Sequence, residues 1–99
     1  VKGQSNWKSH ERPGPTRSGI FGDAEKPLQE QWPYHAIVAI TRGITVLSQW
    51  DGVDAKRVGL SGTSWGGILS GITAGLDRRI IFVTPIYGCG FLSLGDGVM

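Results

Sequence analysis

Apolar positions recur at helical spacing through the middle of the chain: Ile37, Ile40, Ile44 and Leu47 fall on one face of a helix. Pro33 suits the first helical turn, where its missing N–H costs nothing. Asp51-Gly52 supplies a stop, so a helix is predicted over 32–51. The same stretch is rich in β-branched residues (Val38, Thr41, Thr45 and Val46 beside the isoleucines) and has Gly43 at its middle. Two strands turning at Arg42-Gly43 are therefore the alternative. The period of the apolar face favours the helix.

Arg57-Val58-Gly59-Leu60-Ser61 reads as a short buried strand. Trp65, Ile68, Leu69, Ile72 and Leu76 follow at helical spacing. Gly66, Gly67, Gly71 and Gly75 lower the helix propensity of that segment, and are expected where the helix lies close against a sheet. Asp77-Arg78-Arg79 is a polar connection, with Asp77 read as a structural hydrogen-bond acceptor. Ile80 to Thr84 is the clearest strand, ended by Pro85. Strand, helix and strand with short connections make a βαβ unit over 57–84, so the two strands are expected to be parallel. Residues 1–31 are polar and punctuated by Pro13, Gly14, Pro15, Ser18, Gly19 and Gly22. They read as a long surface loop, with Trp7, Ile20 and Phe21 packing on something; a disordered arm is the alternative.

Composition narrows the function classes. The chain has 99 residues, room for one domain, and is 39% hydrophobic, enough for a core. The net charge is +2 and the basic residues are scattered, so no nucleic-acid partner is expected. No apolar stretch reaches the length of a membrane span, so no membrane partner is expected. Cys89 is the single cysteine, which excludes an internal disulfide; its apolar, glycine-rich surroundings favour a small buried hydrophobe over a reactive thiol. His10 and His35 have no neighbours at zinc spacing, so neither a metal nor a cofactor is expected.

The chemistry is concentrated at Gly62-Thr63-Ser64-Trp65-Gly66, which fits the pattern G-x-S-x-G. In a chain with 16 glycines the pattern alone is weak. Its place between a predicted strand and a predicted helix is what gives it weight. A serine in such a turn is lifted above the end of the sheet, and the N–H of the next residue, Trp65, is aimed at a developing oxyanion. The start of the following helix adds its positive dipole end. Side chains at Gly62 or Gly66 are expected to collide with the neighbouring strand or helix.

The run from Val53 through Gly67 resembles the serine-elbow region of α/β-hydrolases, nearest to acetyl xylan esterases, dienelactone-hydrolase-like proteins and prolyl-oligopeptidase-like catalytic domains. The resemblance extends through Gly75-Leu76-Asp77-Arg78-Arg79 and Pro85-Ile86-Tyr87-Gly88, and back to Trp32-Pro33-Tyr34. It implies a partial α/β-hydrolase fold with Ser64 as the nucleophile and the Trp65 N–H as one oxyanion donor. Gly62, Gly66 and Gly67 would be structural residues of the elbow. It also implies that the strand from Arg57 is a central one.

Two triad members are missing. A serine hydroxyl needs a general base, and in this fold the order is Ser, then Asp or Glu, then His. No histidine follows Ser64; His10 and His35 precede it. His35 opens a predicted helix, where a surface or capping role is expected. Asp96 comes too early for the family acid. A single βαβ unit also cannot cover both faces of a parallel sheet. The chain, which begins at Val1, is therefore expected to be a central piece of a larger hydrolase domain, with the remainder missing or on another chain.

Three functions remain open. The first is an esterase-type serine hydrolase acting on carboxylic or acetyl esters, carbohydrate-linked ones included. The second is a prolyl-oligopeptidase-like peptidase with the same elbow. The third is a non-catalytic binding protein that keeps the elbow as architecture.

Overall fold

A computed structural model describes residues 22–87. The expectations for Trp7, His10, Ile20, Phe21, Cys89 and Asp96 lie outside that range. Helix α1 (Trp32–Ser48) follows a single 3-10 turn at Leu28–Glu30. Strand β1 (Val58–Thr63), helix α2 (Trp65–Leu76) and strand β2 (Ile80–Ile86) complete the order. β1 and β2 form a two-stranded parallel sheet, so the described residues are mixed α/β.

The β-branched stretch is helical. Pro33 stands in the first turn of α1, and the Thr45 hydroxyl donates to the Thr41 carbonyl 3.1 Å away, an i−4 bond that a helix alone offers. The chain leaves the helix region through a turn at Gly52, whose φ of 86° suits glycine. Ile44 is the buried residue of the apolar face.

Four boundaries differ from expectation. α1 ends at Ser48, three residues short of 51; β1 starts at Val58, not Arg57, and continues to Thr63 instead of stopping at Ser61; and β2 runs through Pro85 to Ile86. Successive residues of a strand point their N–H and C=O to opposite sides. The Ile86 carbonyl accepts the Ser64 N–H at 2.7 Å and so faces β1. Pro85, one residue earlier, faces away from β1, and its missing N–H leaves no gap in the ladder.

The face of α2 that packs on the sheet is built of small residues. Its buried residues are Gly67, Ser70 and Thr73, while Ile72 and Leu76 are exposed. This small-residue stripe lets the helix lie close to the sheet. The hydroxyls that it buries are satisfied within the helix: Ser70 donates to the Gly66 carbonyl at 2.6 Å and Thr73 to the Leu69 carbonyl at 2.7 Å. Gly67 meets the close-packing expectation, because a Cβ there would press on the Tyr87 and Gly62 carbonyl oxygens. Gly71 and Gly75 do not, since a Cβ at either meets nothing among the described residues.

Arg79 joins the two helices. Its guanidinium pairs with Asp77 (Nη2 to Oδ2, 2.6 Å) and also donates to Thr45 Oγ1 at 2.8 Å and the Thr41 carbonyl at 3.1 Å on α1. Asp77 is thus the structural acceptor that its position predicted. Side-chain and backbone hydrogen bonds from Arg79 hold its carboxyl below the usual aspartate value.

Candidate active site

Ser64 stands between the last residue of β1 and the first of α2, with φ 56° and ψ −119°. That is a backbone conformation glycine adopts with ease and an L-residue only under strain, of order 1–3 kcal/mol. The turn is held on both sides. The Ser64 N–H donates to Ile86 O across the sheet at 2.7 Å, and the Ser64 carbonyl accepts from Gly67 N–H at 2.9 Å and Ile68 N–H at 3.2 Å in the first turn of α2.

Serine is a favoured N-cap, and a serine kept for that purpose turns its hydroxyl back onto the second or third helical N–H. Ser64 occupies the N-cap position of α2 and makes no such bond. Its residue is exposed. Strained backbone, exposure and an uncapped helix start together separate this serine from an ordinary capping one.

The glycines divide by role. A Cβ on Gly62 would overlap the backbone of Gly66, so the tightness of the turn requires glycine there. A Cβ on Gly66 itself meets nothing among the described residues, contrary to the expected collision. Gly66 contributes the backbone that Gly62 must clear. The difference is one of direction: helical Cβ atoms point outward from the axis, and on this side of α2 the outward direction is open.

Trp65 begins α2, and its ring meets Trp32 edge-on, centroids 4.9 Å apart at 80°. Trp32 is the first residue of α1, and its N–H donates to Asp23 Oδ2 at 2.6 Å. Asp23 is buried, at 4% exposure, and serves as a long-range cap for α1 in place of Gln31, whose side chain instead binds the carbonyls of Ala24 and Lys26. Sequence reasoning missed this arrangement, because residues 22–31 read only as loop. Its one visible signal was an aspartate nine residues before a helix start with no capping side chain of its own.

Among the described residues no imidazole or carboxylate is hydrogen-bonded to the Ser64 hydroxyl. The His35 ring bonds the Gln29 carbonyl at 2.7 Å and lies edge-on to Tyr34, the local role expected of it. Among the described residues no group of His, Cys, Asp and Glu could hold a metal ion, and no helix is long and apolar enough to cross a membrane. No protein-family model, curated protein or solved structure matches the chain.

Proposed function

We propose that Ser64 is the nucleophile of an esterase-type serine hydrolase of the α/β-hydrolase kind, acting on carboxylic or acetyl esters, carbohydrate-linked ones included. The observation that carries the reading is the strained, non-capping Ser64 at a strand-to-helix junction on the carboxyl end of a parallel strand. The Ser64 hydroxyl attacks the ester carbonyl, its proton passes to a histidine base, and the alcohol leaves. Water then cleaves the acyl-serine. The Trp65 N–H and the start of α2 stabilise the oxyanion.

The base and its carboxylate belong to other parts of the hydrolase domain. The exposed apolar side chains support such a covering body: Ile81, Phe82 and Ile86 on β2, and Ile72 and Leu76 on α2.

Steady-state turnover of p-nitrophenyl acetate and of an acetylated xylan by the natural full-length protein tests the esterase reading. Ester turnover abolished by Ser64→Ala is expected. Turnover of a prolyl-peptide substrate without ester turnover would move the assignment to a peptidase. A well-folded protein inert toward both would favour a binding role.

A further inference from the structure

The segment from Gly62 to Gly67 is held by its backbone, and its single large side chain is that of Trp65; Gly62, Gly66 and Gly67 have no side chain for a neighbour to hold. The peptide unit between Ser64 and Trp65 carries the proposed oxyanion donor, and its direction follows from the Ser64 ψ of −119°. Whatever orients the Trp65 side chain therefore helps to orient that N–H.

The Trp32 ring does so in a specific geometry. Edge-on aromatic pairs depend on direction as well as on buried area. Trp32 is itself well anchored. Its N–H is bonded to the buried Asp23 carboxylate at 2.6 Å, a short, charge-assisted bond at a helix N-terminus. The residue that follows Trp32 is Pro33, whose ring fixes its own φ in the first turn. Its indole Nε1 is closed off from solvent without a hydrogen-bond partner among the described residues, so packing sets the ring's orientation there.

We infer that Trp32 is a positioning residue of the elbow, seated by Asp23 and acting through Trp65. It makes no contact with substrate; it holds the oxyanion donor and Ser64 in register with each other. This inference rests on the hydrolase reading above.

The test compares wild-type, Trp32→Leu, Trp32→Phe and Asp23→Asn forms of the natural full-length protein. The readouts are the second-order rate of fluorophosphonate labelling at Ser64, kcat and KM on p-nitrophenyl acetate, and Tm. Leucine keeps apolar bulk without a ring, and should slow labelling and kcat by about tenfold with KM unchanged. Phenylalanine keeps a ring edge, and should stay within about threefold of wild type even where Tm falls. Asp23→Asn, which keeps the shape and removes the charge, should lose labelling rate by about threefold or more; it decides the matter if Trp32→Leu does not fold. A folded Trp32→Leu that labels at the wild-type rate would overturn the inference. So would a Trp32→Phe as slow as the leucine variant, or an Asp23→Asn indistinguishable from wild type. Wild-type protein unlabelled at Ser64 would overturn the hydrolase reading and this inference with it, an outcome distinct from the other three.

Discussion

At Ser64 the polypeptide accepts a conformation that a serine disfavours, and it does so without using the hydroxyl to cap the helix. Strain of this sort persists only where the surroundings impose it. The bond from the Ser64 N–H to Ile86 O and those from the Gly67 and Ile68 N–H groups to the Ser64 carbonyl impose it here. Ser64→Ala and Ser64→Gly both delete the hydroxyl, but only glycine relieves the backbone. Ser64→Gly should therefore be the more stable of the two by about 1 kcal/mol, after the entropy that glycine gains in the unfolded chain is subtracted. Urea unfolding of the full-length protein measures it, and an alanine variant equal or superior in stability would show that the turn is unstrained. The residue type and its flanking glycines were legible in the sequence, because the pattern encodes a tight strand-to-helix turn. The absence of a capping bond was not, since a serine that caps and one that does not look alike in one dimension. Nor was the open space at Gly66, which depends on which way the helix presents that Cβ.

At the level of the elements, β2 shows what periodicity can and cannot say. A strand from Ile80 was evident from its run of β-branched and aromatic residues, and its parallel pairing followed from the βαβ order. Its passage through Pro85 was hidden, because the side to which a proline points is set by register. The glycines of α2 pointed to close packing on the sheet, which Gly67 makes; that Ser70 and Thr73 share this face while Gly71 and Gly75 do not depends on how the helix is rotated on the sheet. The larger residues of α2 and the open face of β2 are left for another surface. Phe82, whose ring lies where a Gly59 Cβ would be, is 58% exposed among these residues. If the rest of a hydrolase domain covers it, Phe82→Asp in the full-length protein should cost more than about 2 kcal/mol in denaturant unfolding. A change within about 0.5 kcal/mol would mean that this face meets solvent.

For the whole molecule, the described residues form a mixed α/β unit with few buried apolar side chains, Ile44 and Val58. The strained junction after β1 stands at the end of the sheet, and the Asp23–Trp32–Trp65 contacts and the Arg79 bridge tie α1 to that frame. The strand and the helix read on either side of Ser64 placed this point at a strand-to-helix turn, as the structure has it. No candidate base for Ser64 was legible in the sequence, because no histidine follows it, and in the structure His35 is engaged with Gln29. The central claim is that Ser64 is an activated nucleophile. Its most direct test is mass-spectrometric mapping of the full-length protein after treatment with a fluorophosphonate, whose phosphorus bonds to a nucleophilic serine oxygen as fluoride leaves and the serine proton passes to the base. The account predicts one adduct, on Ser64, absent from heat-denatured protein and from Ser64→Ala. A folded protein with no adduct, or with its adduct on another serine, would contradict it.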